Sequence, residues 1–138
     1  DALQNGARVL TQNTAKPAQG YFIRPTIVVD IANAVALVRE EQFGPVLPVV
    51  SYRSIDEAID MANDMEFGLG GSVWSQDLAA AQAIAAQMQT GTVWINGHAE
   101  VAPHAPFGGW KLSGLGAEFG LDGLLANTRQ KAVHVYKA

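Results

Sequence analysis

Six consecutive residues, Glu40-Glu41-Gln42-Phe43-Gly44-Pro45, put a carboxylate two positions from an aromatic ring, just before a Gly-Pro corner. Taken alone, paired glutamates of this kind are by default a solvated helix end, and Phe43 and Phe107 are by default core aromatics. The counterpart is an absence: the 138-residue chain contains no cysteine, so it holds no thiolate nucleophile, disulfide or cysteine metal site of its own. His98, Glu100 and His104 are of metal-ligating type. Their spacing fits no ligand pattern, however, and Pro103 stiffens the segment, so no metal is expected. Two phosphate motifs also fail. Gly114-x-Gly116-x-x-x-Gly120 has one residue too many for the dinucleotide fingerprint and follows no strand. Gly109-Trp110-Lys111-Leu112-Ser113 lacks the adjacent Lys-Ser/Thr pair and the leading glycine spacing of a P-loop. Lys111 and Ser113 are read instead as caps for strands or carbonyls.

The bulk numbers narrow the class. A chain of 138 residues is one domain long and buries about two thirds of its unfolded surface when folded. Hydrophobic residues make up 49% and charged residues 16%, which fits elements buried on two faces or a subunit surface that another chain covers. A net charge of −4 and a pI near 5.2 exclude the basic footprint of a nucleic-acid binder. No apolar stretch reaches membrane-spanning length, so no membrane partner is expected. The opening residues lack a basic n-region and a long apolar core, so they are not expected to act as a signal peptide, and a cytoplasmic address is the expectation. They read instead as the last turn of a helix ending at Gly6, as if the chain began in the middle of something longer.

The elements that must position these residues alternate in type. Residues 7–20 read as a loop, and residues 21–29 as a strand that Pro25 assigns to an edge or bulge. Residues 34–40 read as a short helix, and the apolar run 46–51 as a strand buried on both faces. Ser54 with Glu57 three residues on is a capping box, followed by the stripe Ile55, Ala58, Ile59, Ala62. Residues 69–74 form a further strand entered through glycines, which are read as close packing. Asp77 caps a helix over residues 78–88 that stops before Gly91, and residues 92–95 form a fourth strand. That alternation argues an α/β fold with a parallel sheet and right-handed crossovers. A short helix is expected near residues 121–126, and residues 131–136 alternate as a lone strand suited to pairing with another subunit. Ligands in open α/β sheets bind at the carboxyl ends of strands, so loops 40–45, 68–71 and 96–116 are the competing sites.

The ordered set Phe22-Ile23-Arg24-Pro25-Thr26, Glu40 to Val46, Phe67-Gly68-Leu69, Gly91-Thr92-Val93-Trp94-Ile95-Asn96 and Pro106 to Gly116 carries a resemblance. Gly120, Gly123-Leu124 and Lys131 continue it. Together they resemble the C-terminal portion of the NAD(P)-dependent aldehyde dehydrogenase superfamily, from about Gly20 to Val135. The resemblance implies a three-layer sheet in residues 1–126 and an oligomerisation strand in residues 127–138. It implies NAD or NADP as cofactor, a small-molecule aldehyde as substrate, and a homo-oligomer, dimer or tetramer. It makes Glu41 an acceptor for the nicotinamide-ribose hydroxyls, a task suited to an ionised carboxylate. It sets Phe43 against the nicotinamide ring, Phe107 near the thiol and aldehyde channel, and Val101 on the channel wall. Asn96 becomes a residue of local loop hydrogen bonding, and Glu40 a structural one. The family's cysteine, general base, oxyanion asparagine and dinucleotide-binding domain have no counterpart in this chain, which by itself is expected to be inactive. Ala117 stands where many members have Arg, and Asn127 where Tyr is frequent. Gln42 replaces a common aliphatic residue whose side chain points away from the site. The rival reading is a non-enzymatic, self-associating α/β module.

Overall fold

The computed structural model describes residues 1–11 and 19–137, and the chain divides into two compact units, Asp1–Met65 and Glu66–Ala138. In the first, a single turn of 3-10 helix, Leu3–Asn5, closes on Gly6, whose φ of 88° and N–H bond to the Leu3 carbonyl make the expected helix stop. Strand β1 (Arg8–Val9) follows and pairs antiparallel with β2 (Thr26–Val29), which pairs parallel with β3 (Val46–Pro48). The expected loop over residues 7–20 therefore contains a strand, and its residues 12–18 lie outside the described residues. Pro25 does not mark an edge. It stands just before β2, which begins at Thr26 and is the central strand, so the missing proline N–H removes no ladder bond.

Helix α1 (Ala36–Arg39) is the short helix expected there, and helix α2 (Ile55–Asn63) begins at Ser54. Ser54 Oγ accepts from the Glu57 N–H at 3.2 Å, while the Glu57 carboxylate reaches one residue further back and accepts from the Arg53 N–H at 2.6 Å. Ile59 on the apolar stripe is buried. The small core of this unit gathers Ala7, Val28, Ile31 and Val35, with Val38, Val46 and Val50 packed on it. Strand β3 is only half covered: Val46 packs inward, whereas Leu47 on the alternate face is 60% exposed. A strand buried on both faces is thus not what this chain alone provides.

In the second unit, β4 (Phe67–Gly68) pairs antiparallel with β7 (Trp110–Lys111), and β5 (Gly70–Val73) pairs parallel with β6 (Thr92–Ile95). Helix α3 (Leu78–Ala85) links β5 to β6, its N-cap Asp77 accepting from the Ala80 N–H at 3.0 Å. The helix ends three residues earlier than expected. Gln87 and Met88 close 3-10-like turns onto Ile84 and Ala85, so Gly91 is not its stop. Gly91 is required for another reason: a Cβ there would overlap the Gly108 carbonyl, where the loop crosses the entry to β6. Helix α4 (Gly120–Ala126) matches the short helix expected, and Asn127 caps its end by donating to the Gly123 carbonyl at 2.9 Å. Residues 131–136 form no strand in the isolated chain, and Val133, Val135 and Tyr136 are 74%, 89% and 87% exposed. The described residues therefore carry several small sheets with two parallel pairs, a mixed α/β architecture.

Candidate functional site

The Glu40–Pro45 loop leads from α1 into β3. Because the Thr26 N–H donates to the Pro45 carbonyl at 2.8 Å and β2 runs parallel to β3, this loop sits at the amino ends of both strands. The carboxyl-end rule does not select it. What distinguishes it is exposure: Phe43 is 96% exposed, and the Glu41 carboxylate makes no hydrogen bond or ion pair among the described residues. Gln42 turns back instead, its amide donating to the Leu37 carbonyl of α1. That contact holds the loop so that the residues on either side of Gln42 stay free. A bare carboxylate and a bare ring two residues apart fit a ligand that presents hydroxyls beside a flat heterocycle, as a nicotinamide riboside does.

The second region does lie at the carboxyl ends of a parallel pair, β5 and β6. Thr92 and Trp94 share one face of β6, and α3 packs against the same two strands. The rim of the Trp94 ring lies over Gly70, where a Cβ would meet it at 2.6 Å. Its indole Nε1–H donates to the Glu100 carbonyl at 2.7 Å, which folds the loop back over the strand. His98 stands edge-on to the same ring at 5.5 Å between centroids, with its Nδ1 3.2 Å from Ser72 Oγ. Phe107 also approaches Trp94, at 6.4 Å between ring centroids and tilted by 41°. Phe107 is in turn pinned by two bonds of 2.8 Å exchanged with the Glu118 backbone.

Between strand and loop lies a cavity of about 270 Å³ lined by Thr92, Trp94, Glu100, Val101, Phe107 and neighbouring small residues. Two of the residues singled out from sequence, Val101 and Phe107, are thereby brought together. Glu41 and Phe43 belong to the first unit, Val101 and Phe107 to the second.

Asn96 does what a loop-organising asparagine should: its side chain bonds both ways to the Ser75 backbone, at 2.9 Å and 2.8 Å. Ser113 caps the edge of β4 by accepting from the Gly68 N–H at 2.9 Å, consistent with the structural rather than anion-binding reading. The glycine cluster at 68–71 is close packing, with Gly70 under Trp94 and Gly71 under the Met88 methyl. Among the described residues, no group of three or more His, Asp or Glu is placed to hold a metal ion. Nor is any helix long and apolar enough to cross a membrane.

Trp94 is the organising residue that its type alone did not single out. The signal was present in the period-2 alternation of residues 92–95, which puts Thr92 and Trp94 on the face opposite Val93 and Ile95.

The aldehyde dehydrogenase family profile matches residues 1–133, so the chain belongs to the aldehyde dehydrogenase family. It is 48% identical over 117 residues to the geranial dehydrogenase of Castellaniella defragrans, covering 85% of this chain and 24% of that protein. It is 39% identical over 132 residues to the mitochondrial aldehyde dehydrogenase of Rattus norvegicus, covering 96% of this chain and 25% of that protein. Among solved structures, it superposes on a Mycobacterium tuberculosis aldehyde dehydrogenase complexed with NAD+ with a TM-score of 0.87 and 41% identity, covering 94% of this chain and 27% of that one. A lactaldehyde dehydrogenase structure gives a TM-score of 0.90 at 34% identity, covering 99% of this chain and 28% of that one. The chain spans about a quarter of the length of these relatives.

Proposed function

We propose that the chain is the C-terminal portion of the catalytic domain of an NAD(P)-dependent aldehyde dehydrogenase, with residues 1–126 completing its three-layer sheet and residues 127–138 forming an oligomerisation strand. On this reading the parallel pairs β2–β3 and β5–β6 are pieces of a larger sheet. The exposed face of β3 and the uncovered side chains of residues 133–136 are surfaces that other elements and a second subunit cover.

Glu41 accepts from the two ribose hydroxyls of the cofactor, and Phe43 lies against its nicotinamide ring. The cofactor, when bound, supplies a two-electron acceptor for hydride. Val101 and Phe107 form part of the wall that excludes water from the aldehyde and orients it. The thiol that adds to the aldehyde comes from polypeptide outside this chain, since no cysteine is present in it.

The observation that supports this reading most directly is the pairing of a bare Glu41 carboxylate with a bare Phe43 ring, in a chain that matches the family over residues 1–133. The test is direct. The purified chain, incubated with NAD+ or NADP+ and a panel of aldehydes, forms no reduced cofactor. Turnover by the pure chain would refute the assignment of the chemistry to an external thiol.

A further inference from the structure

We propose that Gln42 is a positioning residue for the cofactor: its side-chain amide stands in for a missing helix N–H at the end of α1 and so sets the direction of Glu41. The proposal rests on the reading of Glu41 as the acceptor for the ribose hydroxyls. In a helix that ran on, the Leu37 carbonyl would accept from the N–H four residues later, at Glu41. α1 stops short of that bond. The Glu40 N–H closes the last turn on the Ala36 carbonyl at 2.8 Å, and Glu40 itself is extended, with φ −91° and ψ 141°. The Leu37 carbonyl is taken instead by the Gln42 amide.

Both ends of the loop are anchored. Arg39, in the last turn of α1, pairs with Asp64, the C-cap of α2, at 2.6 Å. At the entry to β3 the Pro45 carbonyl accepts from the Thr26 N–H, and the Gly44 carbonyl from the Val46 N–H, each at 2.8 Å. Between these anchors residues 41–43 are all exposed, and their backbone joins no hydrogen bond among the described residues. The Gln42 side chain is thus the hold on the middle of the loop. In extended backbone, which Glu40 begins, neighbouring side chains point to opposite sides. A Gln42 drawn back onto α1 therefore turns Glu41 and Phe43 outward, in keeping with the 96% exposure of Phe43. An aliphatic residue in its place has no donor and leaves the Leu37 carbonyl to water. The freed loop then spends less time with Glu41 aimed at the hydroxyls, and apparent affinity falls with that fraction.

The test uses the complete enzyme and two variants. Gln42→Met keeps the length of the side chain and loses the donor; Gln42→Glu keeps its shape and sets a carboxylate against a carbonyl oxygen. Gln42→Met weakens binding of the oxidised cofactor, NAD+ or NADP+, in isothermal titration calorimetry. It also slows single-turnover hydride transfer, each by about three- to fivefold, the scale of one exposed hydrogen bond. Gln42→Glu loses more in both measurements.

Because Gln42 acts through Glu41, the two effects do not add. In a Glu41→Gln background, Gln42→Met changes affinity and rate by less than about twofold. A merely structural bond would instead lower the urea midpoint and add in full to the Glu41→Gln effect, and that result overturns the proposal. Parent-like affinity and rate in both Gln42 variants, with Glu41→Gln still impaired, overturns it too and leaves the ribose reading standing. If Glu41→Gln is itself unimpaired, the ribose reading is wrong and the proposal falls with it.

Discussion

Asn96 and Ser75 are locked together by two hydrogen bonds running in opposite directions: the Ser75 N–H donates to Asn96 Oδ1 at 2.9 Å, and Asn96 Nδ2 donates to the Ser75 carbonyl at 2.8 Å. This clamp ties the end of β6 to the segment after β5, and so fixes where the 96–107 loop departs. Asn96 also holds φ at 55°, a left-handed backbone that Asn tolerates better than most residues. Asn96→Ala removes both bonds and adds backbone strain. A loss of about 2–3 kcal/mol in unfolding free energy follows, read from the urea midpoint. Asn96→Gly relieves the strain but not the lost bonds, and falls between the two.

Gly91 tests the crossing of the loop over β6. A methyl group at this position meets the Gly108 carbonyl, a backbone atom that has no rotamer by which to move away. Gly91→Ala is expected to cost about 3 kcal/mol or more, at the upper end of overpacking effects. A midpoint within error of the parent would mean that the two segments do not cross so closely.

The two long helices give a control of ordinary size. Ser54→Ala and Asp77→Ala each remove one side-chain acceptor from a helix start, and each should cost about 1 kcal/mol. Thermal unfolding followed by circular dichroism suffices to measure both.

Glu41 supplies the opposite signature. With no partner among the described residues, Glu41→Gln should leave the stability of the chain unchanged. In the complete enzyme it should slow hydride transfer about tenfold, or about 1.4 kcal/mol of transition-state stabilisation. Single-turnover measurement of cofactor reduction separates this from a change in product release. Unaltered turnover would remove Glu41 from the cofactor site.

Much of the fold was legible because short-range rules govern it. Ser54 and Asp77 announced their helices through capping chemistry, Gly6 its stop, and residues 92–95 their strand. Strand β7 was hidden because Trp110–Lys111 is too short, and too rich in glycine neighbours, to show a period; it exists only because β4 lies opposite. Gly91 was misread as a helix stop for a related reason. A glycine demanded by a crossing backbone looks the same in sequence as one demanded by a left-handed turn.

What the sequence determined by itself was the family, through an ordered set of short motifs, and the residue types able to grip a ribose or wall a pocket. It also determined that this chain carries no cysteine. The tertiary structure decided which of those residues meet. It set the Glu40–Pro45 loop at the amino ends of β2 and β3, left Glu41 and Phe43 bare, and drew Trp94, Glu100, Val101 and Phe107 around one cavity. The physical reason is one of range. Caps and periodicities act over a few residues and can be read in order along the chain. The shape and charge of a cavity depend on contacts between residues far apart in sequence, which only the folded backbone brings together.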